Sequence, residues 1–251
     1  MDNNHLPAKE RLVVSADFNL EECGNAKEVY AKVIELAKEL RGLGVYIKVN
    51  SILRFVGYRL INELHNLGLK VFADLKLNDI GNTIKADALL LKEVGPEIVT
   101  IMCSAGTQGM KTFRENIGNK TEVLGVTVFT NFDDDTSLSI FGCNTKPGVL
   151  KFAAMAKSAN LNGLVLSPQE ADMIRRSSGL EQLSLNTPGI RPQWAIVKND
   201  DQKRILTPSL AIGAGVTRVI VGRPIINALD KREATQKILE EIESSLKVKS
   251  T

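Results

Sequence analysis

Eight short apolar, β-branched runs recur along this chain of 251 residues, each followed by a stretch of helical periodicity or a turn-rich connection. The runs cover residues 12–16, 45–49, 69–74, 98–101, 122–128, 163–166, 183–185 and 218–221. Between them lie amphipathic segments such as 26–40, 83–94 and 149–159. A strand that is apolar at nearly every position is covered on both faces, and strands alternating with helices pair in parallel. Eight such units in about 250 residues predict an α/β fold closed into a (β/α)8 TIM barrel. The expectation is one domain over 1–251, with 1–10 and 247–251 frayed. A doubly wound open sheet is the rival, because periodicity does not register closure. No dinucleotide fingerprint follows the first strand, which counts against that rival.

Composition removes several function classes. The net charge is +3, and the basic residues are interleaved with acidic ones, so neither nucleic acid nor a membrane surface is expected as a partner. No apolar run approaches the ~20 residues that span a bilayer. Residues 1–11 are polar and lack the apolar centre of a secretory signal. Cys23, Cys103 and Cys143 are odd in number and far apart, which fits a reducing compartment and no structural metal. A cytoplasmic location is the expectation. Of the two histidines, His5 lies in the polar start and His65 in the last turn of a helical stretch over 52–66. A Ser-His-Asp triad, a Cys-His pair and a histidine zinc site all lack their parts. Catalysis must run on Lys, Asp and backbone groups.

The segment from Phe72 to Thr83 supplies those groups. An apolar run leads into Asp74, Lys76 and Asp79. On an extended strand end, side chains two apart share a face, so Asp74 and Lys76 point the same way. Charges at the end of a buried strand are costly unless they pair. The bland alternative is an ion-pair network closing a strand–helix junction. Lys48 sits in a second apolar run, Tyr46-Ile47-Lys48-Val49, where an unpaired lysine is unusual. Asp17 ends the first strand, where a helix cap or a plain loop acid would read alike.

The segment Asp74-x-Lys76-x-x-Asp79-Ile80-x-Asn82-Thr83 resembles that of the orotidine 5'-monophosphate decarboxylase family, and the likeness runs from about residue 13 to 223. Gly81 stands where the bacterial members usually carry Pro, and Asn78 where they often carry His. The resemblance implies decarboxylation of orotidine 5'-monophosphate to UMP without cofactor or metal. Lys48, Asp74, Lys76 and Asp79 would form an alternating charged tetrad, with Lys76 stabilising and protonating the C6 carbanion. Asp17 would bind near the ribose, Ile80 near the pyrimidine, and Thr130 would offer it a hydroxyl. The resemblance also implies a homodimer in which Asp79 and Thr83 reach across into the partner's site.

Barrels often bind phosphate on the loops after strands seven and eight. Here those loops hold Pro188-Gly189-Ile190-Arg191 and Gly222-Arg223-Pro224. A plain strand-to-helix turn would also accept Gly-Arg-Pro. By resemblance, Arg191, Gln202, Gly222 and Arg223 hold the 5'-phosphate. About 19 residues, 186–204, show no periodicity and contain two prolines, which reads as a functional lid. The nearest rival activity is 3-keto-L-gulonate 6-phosphate decarboxylation, which needs Mg2+ on acidic ligands. The end of strand two offers Lys48, Asn50 and Ser51 but no glutamate. A non-catalytic nucleotide sensor is the rival from another class; all four charged groups being present counts against it.

Overall fold

The computed structural model describes residues 6–195 and 205–248. The strands are β1 (Leu12–Ser15), β2 (Tyr46–Val49), β3 (Lys70–Leu77), β4 (Ile98–Met102), β5 (Glu122–Val126), β6 (Gly163–Val165), β7 (Ser184–Thr187) and β8 (Arg218–Val221). Each pairs in parallel with the next, and β8 returns to β1, so the barrel closes. Closure decides between the two arrangements that periodicity left open. Most strand ends shift by at most a single residue, three by more: β5 stops at Val126 rather than 128. β3 continues past residue 74 to Leu77, and β7 takes in Asn186 and Thr187 from the aperiodic stretch.

Helices cover the outside for reasons written locally. In Ala26–Leu40, Asn25 caps the start by accepting a hydrogen bond from Glu28 N at 3.0 Å. Such a cap contributes about 1 kcal/mol. Val29, Val33, Leu36, Ala37 and Leu40 follow at helical spacing and are the residues it buries. The stretch 52–66 is two helices, Ser51–Val56 and Arg59–Asn66, divided at Gly57, whose φ of 85° ends the first. His65 falls in the last turn of the second, with Nε2 3.2 Å from Glu97 Oε2. Residues 8–10, expected to belong to a frayed start, form a short helix with Arg11. Contacts to the barrel hold it: Lys70 Nζ donates to Glu10 Oε1 at 2.9 Å, and Arg11 donates to the Thr217 carbonyl.

Inside the barrel, side chains stack in layers two residues apart, as strand alternation requires. Val13, Tyr46, Phe72, Ile98, Leu124 and Ile220 pack together as an apolar middle layer. Two residues earlier on their strands stand Lys70, Glu122 and Arg218. Arg218 is 1% exposed and meets Glu122 through two bonds of 2.9 and 2.7 Å. This charged layer seals the amino-terminal end. Two residues later on each strand come Ser15, Lys48, Asp74, Thr100, Val126 and Gly222, at the carboxyl end of the barrel.

Candidate active site

Of that last layer, Ser15, Lys48, Asp74, Val126 and Gly222 line a cleft of about 410 Å³, within the range usual for small-molecule sites. Lys48 and Asp74 are buried in it, at 6% and 7% exposure. Lys48 Nζ lies 2.7 Å from Asp17 Oδ2 and 3.2 Å from Asp74 Oδ2. Lys76 Nζ lies 2.6 Å from the same Asp74 oxygen. The result is a row, Asp17–Lys48–Asp74–Lys76, in which every charge neighbours its opposite. Asn50 Nδ2 adds a longer contact to Asp74 Oδ2 at 3.4 Å, and Thr100 donates to Oδ1 at 2.9 Å.

The electrostatics follow from this packing. Burial alone would push the Asp74 carboxyl upward. The ammonium groups of Lys48 and Lys76, with the hydrogen bonds from Lys76 and Thr100, outweigh it and hold Asp74 below the usual carboxylate range. Burial would likewise depress Lys48, but the carboxylates of Asp74 and Asp17 raise it above an ordinary lysine. Both groups are therefore charged across the physiological range.

Lys76 stands differently from the sequence expectation. It does meet Asp74, yet not by simple strand alternation. Its φ is 50°, a left-handed backbone that costs an ordinary side chain roughly 1–3 kcal/mol. The β3–β4 register also shifts between Ala73 and Leu77. The strained turn leaves the Lys76 side chain 27% exposed at the mouth of the cleft while Asp74 stays buried.

Across the barrel mouth, the loops after β7 and β8 bring Pro188, Gly189, Arg191, Gly222 and Arg223 to the same cleft. A Cβ on Gly222 would lie 3.5 Å from the Ser15 Cβ, an ordinary contact, so the glycine is not forced by crowding in the apoprotein. Thr130 also lines the cleft, and Val126, Val128, Val165 and Ile220 give it an apolar wall. Asp17, Lys48, Asp74, Lys76, Thr130, Arg191, Gly222 and Arg223 are thus brought together. Gln202 lies outside the described residues. Asp79, Ile80 and Thr83 are exposed and do not line the cleft of their own chain; Asp79 Oδ1 accepts from Ile80 N at 2.7 Å. Ile80 is 74% exposed, unusual for a large apolar side chain.

Sequence reading missed Ser15, Asn50 and Thr100. Ser15 donates to Asp17 Oδ2 at 2.6 Å, and Thr100 contacts both Asp74 and Lys76. The available signal was positional: Ser15 and Thr100 stand two beyond the inward-facing Val13 and Ile98, and Asn50 stands two beyond Lys48. Among the described residues no cluster of His, Cys, Asp and Glu has the makings of a metal site, and no helix is long and apolar enough to cross a membrane.

The profile of the "Orotidine 5'-phosphate decarboxylase / HUMPS family" matches residues 10–238. The orotidine 5'-phosphate decarboxylase of Campylobacter fetus subsp. fetus is 35% identical over 239 residues, covering 92% of this chain and 99% of that protein. The one from Rhodopseudomonas palustris (strain CGA009) is 37% identical over 240 residues, covering 94% and 95%. Among solved structures, the orotidine 5'-phosphate decarboxylase of Lactobacillus acidophilus superposes with a TM-score of 0.74 at 28% identity, covering 93% of this chain and 99% of that one.

Proposed function

The chain belongs to the orotidine 5'-phosphate decarboxylase / HUMPS family, and we propose that it converts orotidine 5'-monophosphate to UMP and carbon dioxide. The observation that carries this reading is the Lys76 ammonium, 2.6 Å from a buried Asp74 and open to the cleft. Loss of carbon dioxide breaks the bond from C6 to the carboxylate carbon and leaves the electron pair in an in-plane orbital on C6. The ring offers that pair no conjugation. Lys76 would stabilise it by charge and then deliver its proton to C6, becoming a neutral amine that water reprotonates. Donors fixed in advance where charge develops are a strong catalytic device, because nothing need reorganise during the reaction. In this reading the chain's own residues supply the chemistry, with no cofactor or metal called upon.

The remaining residues take roles consistent with their places. Asp17 and Lys48 would hold the ribose, Thr130 the pyrimidine, and Arg191, Gly222 and Arg223 the 5'-phosphate, with Gln202 assigned there by resemblance alone. Asp79, Ile80 and Thr83 would serve the site of a second subunit in a homodimer, a role that suits their exposure outside their own cleft. The pathway role would be the last step of UMP synthesis, in the cytoplasm. The test is loss of orotidylate absorbance on adding purified protein after exhaustive EDTA treatment. Turnover is expected. Strict dependence on added Mg2+ would point instead to the sugar-phosphate branch.

A further inference from the structure

We propose that Thr100 is a positioning residue that holds Lys76 and Asp74 in their reactive arrangement through a single hydroxyl. This rests on the reading of Lys76 as the proton donor. The β3–β4 ladder pairs Ala73 with Val99 and Leu77 with Ile101. Between those pairs β3 has three residues, 74–76, and β4 has only Thr100. The excess in β3 is a bulge, a device found beside active sites because it re-aims a side chain. A bulge leaves backbone groups without ladder partners, and here the Thr100 side chain takes over. Its Oγ1 accepts from Lys76 N at 2.9 Å and donates to Asp74 Oδ1 at 2.9 Å. One hydroxyl therefore fixes the backbone of the lysine in its left-handed turn and the direction of the carboxylate beside it.

The surroundings make the hydroxyl hard to replace. Thr100 is fully buried, at 0% exposure, so water cannot stand in for the lost bonds. The other Asp74 oxygen is occupied by Lys48, Lys76 and Asn50, leaving Oδ1 to Thr100 among the described residues. Neighbouring β4 positions Val99 and Ile101 are apolar and buried. A threonine there, in a strand whose core would accept valine, has its explanation in the bulge opposite it.

The experiment compares wild type, Thr100→Val and Thr100→Ser on orotidylate, with circular dichroism melts of each. Valine keeps the shape and removes the hydroxyl; serine keeps the hydroxyl and removes the methyl. Thr100→Val is expected to lose about 10²-fold in kcat, the cost of roughly 1 Å of misplacement at a reacting group. Its KM should change by less than about threefold, since the phosphate and ribose contacts remain. Thr100→Ser should retain kcat within about fivefold. Equal losses in both variants, or a loss confined to KM, would overturn the role. Should Thr100→Val not fold, Thr100→Ser and Thr100→Ala make the same comparison, since they also differ by one hydroxyl. A wild type without turnover would overturn the reading of the site itself, whereas an active wild type matched by Thr100→Val would overturn only the role of Thr100.

Discussion

Replacing Glu122 with Gln should destabilise the protein strongly and leave its chemistry alone. The change keeps the side chain's shape and removes its charge beneath Arg218, a guanidinium 1% exposed. Taking away one member of a buried ion pair leaves the other uncompensated, at a cost of about 3–5 kcal/mol. Here the loss is softened. Arg218 also donates to the Glu10 carbonyl at 3.2 Å and to Asn186 Oδ1 at 3.4 Å, and stacks 5.2 Å from the Tyr46 ring. A glutamine oxygen can still accept one N–H. The lower end, about 3 kcal/mol, is therefore expected, which is a drop of roughly 6–12 °C in melting temperature for a domain of this size. The apolar layer of Val13, Tyr46, Phe72, Ile98, Leu124 and Ile220 separates this pair from the cleft. For that reason kcat/KM should stay within about twofold at a temperature where the variant is folded. Thermal melts and steady-state kinetics on one preparation measure both. A double variant, Glu122→Gln with Arg218→Met, should recover part of the loss. A melting shift under about 2 °C would refute the premise that the pair is dry. A large loss of kcat/KM in a folded variant would refute the separation of the two ends.

Lys76→Ala should lower kcat by more than ~10³ while the far-ultraviolet circular dichroism stays that of wild type, because the residue supplies both charge and proton; a tenth of wild-type kcat would exclude it as donor. Mixing inactive Lys76→Ala with inactive Asp79→Ala should restore activity through hybrid dimers, and no recovery in a mixture shown to exchange subunits would place Asp79 in its own site. Gly81→Pro should raise the melting temperature by roughly 1–4 °C, from about 0.4–1 kcal/mol of lost unfolded-state freedom. Gly81 opens the helix Gly81–Val94, has open space where a Cβ would stand, and follows Ile80 at φ −73°, ψ 157°, the backbone that precedes proline; a lower melting temperature would contradict this. The folded-state pKa of Asp74 is lowered and that of Lys48 raised. The Asp74 contribution is thus present above about pH 3.9 and lost as pH falls through its folded value, and the Lys48 contribution is present below about pH 10.4 and lost as pH rises through its own. Urea unfolding across pH should show a shallower acid-side decline in Asp74→Asn than in wild type.

The barrel was legible because its cause is local. Most strands are apolar runs, and long helices such as Ala26–Leu40 carry their own cap and apolar stripe, so eight units could be counted without knowing their neighbours. The placement of the loops after β7 and β8 at the cleft was legible for a similar reason, since Gly222-Arg223-Pro224 and Arg191 follow strands that were found. The errors arose where a tertiary partner sets the backbone. β3 runs on to Leu77 because β4 pairs with it there, and the left-handed turn at Lys76 is held by a side chain on another strand. Periodicity carries no trace of that contact, so alternation gave the right pairing of Asp74 with Lys76 for an incomplete reason. Thr100 and Asn50 were passed over because each is unremarkable where it stands, one within β4 and the other just past the end of β2. They gain meaning only once Asp74 is found between them.

The order of charges explains why the row can be buried and yet remain open at one end. Asp17, Lys48, Asp74 and Lys76 sum to zero, and each inner member has an opposite charge on both sides. Desolvating such an alternation is tolerable where desolvating any one member would not be. The two ends differ. Asp17 faces outward, at 49% side-chain exposure, where water satisfies it. Lys76 has Asp74 as its one carboxylate partner among the described residues, and its other side opens on the cleft. The next acid along the chain, Asp79, is exposed and does not line this cleft. An ammonium with one side neutralised and the other facing a cleft partly walled by apolar groups is poised for a developing negative charge. Asp17, Lys48 and Asp74 anchor it from one side; under the proposed function, the open side is where substrate and the Asp79 of a second subunit would complete the alternation.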